Sequence, residues 1–458
     1  MKRILVLGAG QSSPYLIRYL LDGAEDNGWF VTVGDRDIRL AKSRVGDHAW
    51  GEAIRLDIND THMLSAQIRA ADMVVNFLPA KFLSLIGRDC VHNETSMVSV
   101  SYRNADIRAI HRDARRQGVL LLCEMGLDPG LDLMSAMTMI HRVQHDGGII
   151  ESFESYGGGV AAPDGDDNPL RYVITWNPRN VVMSGEAGAQ FLNQGRIKIV
   201  PWHHVFDRTW MIDVDGVGPM EGYPNRDSIS YRETFGLKDV KTLIRGTLRY
   251  PGWSETWQQI VHLGLPNEHL RIPGLKDRTW KEIVAMFLPR DVAAQAPIEQ
   301  RVANYLKVSP TGSIIRNLTW LGLFSDKPTG CKGETVTDAL VELLEDKLQL
   351  LPDSRDLVVL YHRIHARYPE QNDRTEVITS TFTLEGEPGG LTAMARTVGQ
   401  PAAVAAKLLL AGEFPLTGCH IPTLPAIYKP ILRELEKDGL KFREKVLPSP
   451  PENGPFNG

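Results

Sequence analysis

The chain has 458 residues, of which 43% are hydrophobic and 23% are charged, and its formal net charge is -5. These are ordinary values for a globular protein, and the length predicts two or three domains rather than one core. The acidic balance argues against a strongly basic surface of the kind that binds nucleic acid.

The four cysteines, Cys90, Cys123, Cys331 and Cys419, lie far apart in the sequence. Their spacing fits neither a zinc motif nor a dense disulfide framework, so we expect reduced thiols in a cytoplasmic protein. There is no run of 18 apolar residues, and we therefore expect no transmembrane helix and no membrane partner. The apolar run after Lys2 and Arg3 is interrupted by glycine after four residues, which argues against a signal peptide.

Short apolar runs alternate with amphipathic stretches in the first 140 residues. The predicted strands are Ile4–Leu7, Phe30–Gly34, Met73–Leu78, Met97–Val100 and Val119–Cys123. The predicted helices are Ser12–Leu21, Ile38–Val45, Met63–Ala70, Phe82–His92 and Ala105–Gln117. Strands and helices in alternation predict a parallel, doubly wound α/β sheet with right-handed crossovers.

The rest of the chain changes texture twice. Longer strand-like segments with glycine-rich turns predict an α+β substrate and dimerisation domain over 132–253 and 352–390, and a helical subdomain is predicted at 254–351. A Rossmann domain at 1–131 is expected to be completed by about 391–440. The polar, proline-rich segment 448–458 is predicted to be disordered.

The turn after the first predicted strand has the spacing of a dinucleotide-binding loop, with Gly8, Gly10 and Ser13 at the three glycine positions. The first glycine makes the turn, the second lets the backbone approach the pyrophosphate, and a small third residue permits close packing of the helix. Gln11 and Ser12 belong to the same turn, and Pro14 suits a first helical position. Helix N–H groups at this point would meet phosphates, so the turn predicts NAD or NADP.

The end of the second predicted strand carries the residues expected to choose between these cofactors. Asp35 is suited to the two hydroxyls of an NAD ribose, whereas Arg36 beside it is suited to the 2′-phosphate of NADP. Because a phosphate would also meet the charges of Asp35 and Asp37, the sequence leans modestly towards NAD.

Several long segments resemble a known family. They are "GLDPGLDLMSAM", "SYGGGVAAPDGDDNPLRYVITWNPRNVV", "GYPNRDS", "GTLRYPGWSE" and "TAMARTVGQPAAVAAKLL". Together they resemble the glutamate-forming saccharopine dehydrogenases, also called saccharopine reductases. This resemblance implies a Rossmann domain completed by a C-terminal helix, and a middle domain that carries substrate and dimer contacts. It also implies NAD(P)-dependent interconversion of saccharopine with glutamate and 2-aminoadipate semialdehyde, in lysine metabolism.

The resemblance assigns site residues by their place in the matching motifs. The residues matched to substrate contacts are Ser101, Tyr102, Asp128, Arg226, Thr247, Leu248 and Arg249. The further residues matched to cofactor contacts are Asp57, Ile58, Leu78, Val100, Ser101, Leu127, Asp128 and Pro129. Two departures stand out, because Asp35 occupies a place where NADP-using members often have a small residue, and "SVSY" has Val100 in place of the usual threonine–serine pair.

The chemistry of the substrate fits these residues. Saccharopine carries three carboxylates and a secondary amine, and Arg226 and Arg249 each offer a planar fork for a carboxylate. Asp128 is a possible catalytic residue facing the substrate's ammonium or iminium group, but hydride transfer requires no obligatory acid or base from the protein. Two alternatives stay open: a related enzyme that reduces another carboxylated imine, and a non-catalytic dinucleotide sensor.

The histidines predict no metal site. His141 and His145 have helical i,i+4 spacing, but no third ligand accompanies them in the sequence. His203 and His204 are interpreted as structural polar groups.

Overall fold

The computed structural model describes residues 1–164, 168–289 and 295–448. It divides into two compact units, Met1–Ile150 with His365–Gly458, and Glu151–Ile364. The chain therefore passes between the units twice, within the strands Ile149–Ala161 and Asp356–Tyr368. No helix in the described part of the chain is both long enough and apolar enough to span a bilayer.

The strands, in chain order, are β1 (Lys2–Leu7), β2 (Trp29–Asp35), β3 (Gly51–Arg55), β4 (Met73–Asn76), β5 (Ser96–Ser99), β6 (Leu120–Leu122), β7 (Ile149–Ala161), β8 (Ala189–Asn193), β9 (Arg196–Val200), β10 (Trp210–Val214), β11 (Gly218–Pro224), β12 (Arg226–Asp227), β13 (Thr242–Arg249), β14 (Asp356–Tyr368), β15 (Arg374–Glu385), β16 (Gly418–His420) and β17 (Arg443–Pro448).

The α-helices are α1 (Pro14–Asp22), α2 (Ala24–Asn27), α3 (Ile38–Val45), α4 (Thr61–Ala70), α5 (Leu83–His92), α6 (Ala105–Ala109), α7 (His111–Arg116), α8 (Leu131–His145), α9 (Pro178–Val182), α10 (Tyr231–Thr234), α11 (Trp253–His262), α12 (Trp280–Phe287), α13 (Ile298–Leu306), α14 (Ser313–Leu321), α15 (Val336–Lys347), α16 (Ala393–Leu410) and α17 (Pro425–Lys437). Among the described residues, 3-10 helices occur at Ala80–Phe82, Trp202–Asp207, Leu275–Asp277 and Pro369–Gln371.

The first unit is built on a seven-stranded parallel sheet in the order β16-β6-β5-β4-β1-β2-β3. The central strands are apolar on both faces because helices cover both sides, as the sequence predicted. The strand order reverses at β1, whose neighbours are β2 on one side and β4 on the other. Ligands of doubly wound sheets bind at such a switch point, outside the carboxyl ends of the strands.

The C-terminal part of the chain completes this unit. Gly418–His420 pairs in parallel with Leu120–Leu122 and extends the sheet. Helix α16 lies against α1 so closely that a Cβ on Gly399 would be 2.8 Å from the backbone nitrogen of Leu16. The small residue that allows close helix contact thus lies on α16, in addition to Ser13 at the start of α1.

The first unit extends further along the chain than the expected boundary at 131. Helix α8 belongs to it, and His141 Nδ1 on α8 lies 2.8 Å from the hydroxyl of Tyr428 on α17. Arg142 on the same helix pairs with Glu444 at 2.5 Å. These contacts hold α8 against the C-terminal segment. Beyond Pro448, the segment predicted to be disordered lies outside the described residues.

The second unit contains a mixed sheet in which the strand order is β10-β11-β13-β7. Strand β13 is parallel to β7 and antiparallel to β11, and β8 pairs with β9, β12 and β13 beside this path. Helices α11 to α15 form the helical block predicted from the sequence. A buried ion pair crosses the unit, with Arg363 Nη2 at 2.6 Å from Glu154 Oε1.

Candidate functional site

The turn after β1 has the shape that its sequence predicted. Gly8 has φ +99°, a conformation that disfavours residues with a Cβ, and a Cβ there would lie 3.2 Å from Leu78 Cδ2. A Cβ built on Gly10 meets nothing within 4 Å, so open space lies beside this part of the backbone. Ser13 is buried, and its hydroxyl donates to the carbonyl oxygen of Gly10 at 2.9 Å, which closes the turn.

This turn fits a dinucleotide. The helix α1 begins at Pro14, so its unpaired N–H groups lie directly after Gln11 and Ser12. Open space beside Gly10 and the positive end of the helix dipole together favour a pyrophosphate.

The carboxylate of Asp35 is engaged by backbone N–H groups. Its Oδ2 accepts from the N–H of Ala9 at 2.8 Å, and its Oδ1 accepts from the N–H of Asp37 at 2.8 Å. Both oxygens therefore help to hold the turn after β1 and the turn after β2. The sequence predicts that this carboxylate binds the ribose hydroxyls, and in the structure it also accepts hydrogen bonds from the backbone.

Three arginines surround the same strand end. Arg36 is exposed, and Arg39 is paired with Asp37, whose pKa is lowered by hydrogen bonds from the Arg39 side chain and backbone. Arg44 is half-buried and donates through Nε to the carbonyl oxygen of Ala9 at 3.2 Å, and burial lowers its pKa. The sequence offered no signal for Arg44, because only the fold brings the end of α3 to the Gly8–Ser13 turn.

The other predicted cofactor residues of this unit follow the carboxyl ends of neighbouring strands. Leu78 follows β4, and Val100 and Ser101 follow β5, with Ser101 Oγ donating to the carbonyl oxygen of Leu78 at 3.4 Å. Asp57 is exposed after β3, whereas Ile58 is 9% exposed and belongs to the hydrophobic core. All of them lie at the carboxyl ends of the parallel strands, the same end of the sheet as the Gly8 turn.

A tight loop after β6 carries Asp128. Its carboxylate Oδ1 accepts from the hydroxyl of Tyr102 at 2.9 Å, so two residues that the family resemblance selected are joined. Asp128 and Pro129 are linked by a cis peptide bond, and Gly130 has φ +146° with no room for a Cβ. Leu127 and Pro129 are buried, whereas Asp128 is exposed at the loop surface.

Glu124 is a buried carboxylate beside the predicted site residues that the sequence did not indicate. It is 6% exposed, it has φ +61°, and its Oε1 accepts from the N–H of Arg103 at 2.9 Å. A buried carboxylate next to the segment that carries Ser101 and Tyr102 adds negative charge to this part of the unit. In the sequence, Glu124 is a single polar residue after an apolar strand, and no motif marks it.

Arg249 at the end of β13 is a buried cation in the second unit. It is 5% exposed, and its guanidinium carbon lies 4.9 Å from the ring centroid of Tyr172 and 5.0 Å from that of Trp253. Nη1 donates to the carbonyl oxygen of Leu248 at 2.8 Å, and Nε has no hydrogen-bond partner among the described residues. A buried guanidinium with an unused N–H favours an incoming anion.

The remaining predicted substrate residues differ in placement. Arg226 is exposed with φ +50°, and its neighbour Asn225 donates through Nδ2 to Thr247 Oγ1 at 3.2 Å, which ties this segment to β13. Thr247 and Arg249 share one face of β13, and Leu248 points to the other face and is 0% exposed. The side chain of Leu248 therefore packs in the core, which corrects its assignment as a substrate ligand.

Two family models cover nearly the whole described chain. One, described as the saccharopine dehydrogenase NADP binding domain, matches residues 4–122. The other, described as the saccharopine dehydrogenase C-terminal domain, matches residues 126–440. The chain belongs to the saccharopine dehydrogenase family.

Curated relatives agree with this membership. The chain is 32% identical to the saccharopine dehydrogenase [NADP(+), L-glutamate-forming] of Pyricularia oryzae, covering 97% of this chain and 99% of the relative. It is 30% identical to the enzyme of the same name from Saccharomyces cerevisiae, again covering 97% and 99%. It is 32% identical to the mitochondrial alpha-aminoadipic semialdehyde synthase of Bos taurus, and spans only about half of it, 47%.

Solved structures show the same fold. The apo saccharopine dehydrogenase (L-Glu forming) of Saccharomyces cerevisiae matches with a TM-score of 0.86 and 29% identity, covering 98% of this chain and 100% of that chain. A homospermidine synthase from Legionella pneumophila matches with a TM-score of 0.56 and 9% identity, over 97% and 91% of the two chains, and shows a similar fold alone. The predicted family and the predicted α/β fold with an N-terminal Rossmann domain are confirmed. The lean towards NAD receives no support, because the matching model and the fungal relatives are named for NADP.

Proposed function

We propose that this saccharopine dehydrogenase family member interconverts saccharopine with glutamate and 2-aminoadipate semialdehyde. The observation that carries the proposal is Arg249, a buried guanidinium flanked by two aromatic rings, with an Nε that has no partner among the described residues. Leaving a charged donor buried and unpaired is costly, and a substrate carboxylate would remove that cost. The reaction is the one expected from the sequence, and the fungal relatives carry its name.

The substrate's charge distribution matches the residues proposed to bind it. Arg249 and Arg226 each offer a fork for a carboxylate, and the hydroxyl of Thr247 lies on the same face of β13 as Arg249. The Asp128 carboxylate, oriented by Tyr102, offers a negative partner for the substrate's amine or iminium group. A carboxylate at this position would stabilise the positive charge that develops on the carbon–nitrogen group when hydride leaves saccharopine.

We further propose that NADP is the preferred cofactor. The Asp35 carboxylate accepts hydrogen bonds from two backbone N–H groups. The exposed guanidinium of Arg36 is therefore the group proposed to bind the 2′-phosphate. The open space beside Gly10 and the start of α1 would hold the pyrophosphate. When bound, the cofactor supplies or accepts the hydride, and the protein binds and orients both partners.

The assay is direct. The chain is incubated with saccharopine and either NADP or NAD, and we expect nicotinamide absorbance to rise with both cofactors. We expect kcat/KM to be at least about tenfold higher with NADP than with NAD. Arg249→Met should raise the KM for saccharopine at least about tenfold and leave the KM for NADP nearly unchanged. Arg245, which lies on the same strand over the ring of Tyr231, provides a matched control as Arg245→Lys.

Each failure has a separate meaning. If folded protein binds NADP but does not oxidise saccharopine, the alternative of a related enzyme for another carboxylated imine replaces this proposal. Absence of turnover with any imine-forming amino acid would favour the non-catalytic sensor. If Arg249→Met weakens NADP as much as saccharopine, Arg249 supports the fold instead of the substrate.

We also propose that the protein is a homodimer and that it is located in the cytoplasm. Strand β9 exposes Ile197 and Ile199, which are 61% and 73% exposed on one face of the strand, and Trp202 just after it is 48% exposed. Exposed apolar residues of this kind favour contact with another chain. Light scattering should give twice the monomer mass, and Ile199→Lys should reduce it to the monomer. The four free cysteines, all buried, suit the reducing cytoplasm.

A further inference from the structure

The second unit brings together three side chains that the proposed reaction does not use. His204 and Asp207 belong to the 3-10 helix Trp202–Asp207, and His262 is the last residue of α11. One potential ligand atom from each side chain lies within 4.8 Å of the other two. His262 lies 55 residues after Asp207 in the sequence, so no short sequence motif contains all three residues.

The geometry is close to that of a transition-metal site. His204 Nδ1 lies 2.9 Å from Asp207 Oδ2. Two ligands of a tetrahedral zinc ion with bonds of about 2.0–2.1 Å are separated by about 3.3 Å. Because all three side chains are exposed, small rotations can bring the third ligand into the same range, and an ion can enter from solvent.

A buried amide holds the two segments in place. Gln258 is 1% exposed, and its Nε2 lies 2.6 Å from His262 Nε2 and 2.5 Å from the carbonyl oxygen of His203. The residue before His204 is therefore connected to His262 through one side chain. This connection between the two segments limits the ordering that metal binding requires.

We propose that His204, Asp207 and His262 bind one divalent transition-metal ion, with water in the remaining position. Two imidazoles and one carboxylate are a ligand set that favours Zn²⁺ over Mg²⁺ or Ca²⁺, which prefer oxygen ligands. The bound ion connects the 3-10 helix Trp202–Asp207 to the end of α11. The structure thus gives His204 a role different from the structural one interpreted from the sequence, where its nearness to His262 could not be seen.

The test is a zinc titration of the untagged chain after treatment with a chelator and dialysis. Isothermal calorimetry should show one site per chain, and saturation with Zn²⁺ should raise the midpoint of thermal unfolding. Co²⁺ in the same site should give a visible absorption band, which Zn²⁺ removes, whereas Mg²⁺ should neither bind nor compete.

His262→Gln and Asp207→Asn should each weaken Zn²⁺ binding at least tenfold. The control is His145→Gln, because exposed His145 also lies beside an aspartate, with Nδ1 3.1 Å from Asp146 Oδ1, and is not part of the three-residue group. This variant should bind Zn²⁺ as the unmodified chain does. Circular dichroism would establish that each variant is folded. The proposal is overturned if the unmodified chain shows no saturable site at about 100 µM Zn²⁺. It is also overturned if folded His262→Gln binds Zn²⁺ as tightly as the unmodified chain does.

Discussion

At the scale of the single residue, the hydroxyl of Tyr102 fixes the orientation of the Asp128 carboxylate. The two are joined at 2.9 Å, and both side chains are exposed, Tyr102 by 40%. An exposed bond of this kind contributes little to folding, but it selects one rotamer of the residue proposed to face the substrate's amine. Its removal therefore separates function from stability.

We expect Tyr102→Phe to lower kcat/KM for saccharopine by about tenfold, which corresponds to about 1.4 kcal/mol, within the range for a hydrogen bond to a charged group. The KM for NADP and the thermal midpoint should change little. Steady-state kinetics with both substrates varied, together with a thermal melt, would measure this. Unchanged kcat/KM would show that Asp128 keeps its orientation without Tyr102, or has no part in the reaction.

Arg36 and Arg39 form a matched pair for the cofactor proposal. Both are exposed near the end of β2, but Arg39 already pairs with Asp37, with Nη2 at 3.0 Å from Oδ2. We expect Arg36→Ala to raise the KM for NADP at least about tenfold and to alter that for NAD much less, because only NADP carries the 2′-phosphate. Arg39→Ala should affect both weakly. Equal losses for the two cofactors in Arg36→Ala would contradict the proposal.

The sequence predicted which residues surround the first turn but not what Asp35 does there. The spacing of Gly8, Gly10 and Asp35 depends on local backbone rules, and these hold in the structure. The hydrogen bond from the Ala9 N–H to Asp35 depends on how two turns lie against each other, which no local pattern contains. The same reason hid Arg44. The family resemblance placed Leu248 among the substrate residues, although alternation along β13 turns its side chain to the core.

At the scale of the element, helix α15 begins at a capping box that also includes a salt bridge. Thr335 Oγ1 accepts from the N–H of Asp338 at 3.1 Å, and Asp338 Oδ2 accepts from the N–H of Thr335 at 3.0 Å. The Arg179 side chain, on α9, pairs with the same carboxylate. Partial burial opposes the charge of Asp338, but these hydrogen bonds outweigh burial and lower its pKa.

Asp338→Asn should therefore destabilise the chain by about 1 kcal/mol at pH 7, a decrease of about 2–4 °C in the thermal midpoint. A lowered pKa in the folded state means that the charged carboxylate stabilises the fold above its unfolded value of about 4. This contribution is lost as the pH falls from that value towards the lowered one, so the difference between the two proteins should shrink below pH 4. A difference in midpoint that stays constant down to pH 2.5 would show that charge is not involved.

Two elements show where pattern reasoning fails. Strand β3 was not predicted, because Gly51–Arg55 lies at the edge of the sheet and carries Glu52 and Arg55, so it lacks the apolar run of a central strand. The predicted helix Ala105–Gln117 is two helices that meet at Ile110, which is buried with φ −86° and ψ 7°. An amphipathic pattern continues across such a break, since both helices bury the same face.

At the scale of the whole molecule, the first unit is made from two distant parts of the chain. Its sheet needs β16, and its helix α1 packs against α16 around Gly399. We expect a chain ending at residue 390 to lack a cooperative thermal transition and to bind NADP at least about tenfold more weakly than the full chain, because the edge of β6 and one apolar face of α1 would be exposed. Circular dichroism melts and NADP titration would measure this. A fragment that melts cooperatively and binds NADP like the full chain would disprove it.

The pairing of Gly418–His420 with Leu120–Leu122 also sets an order of events during synthesis. At ribosomal rates of about 5–20 residues per second, the partner strand emerges roughly 300 residues, or about 15–60 s, after β6. For that time, the nascent chain carries an unpaired apolar strand edge at Leu120–Leu122, which is the kind of surface that chaperones bind and that promotes aggregation. Expression at low temperature or with extra chaperone should therefore improve the yield of the native protein more than changes to its mature surface would.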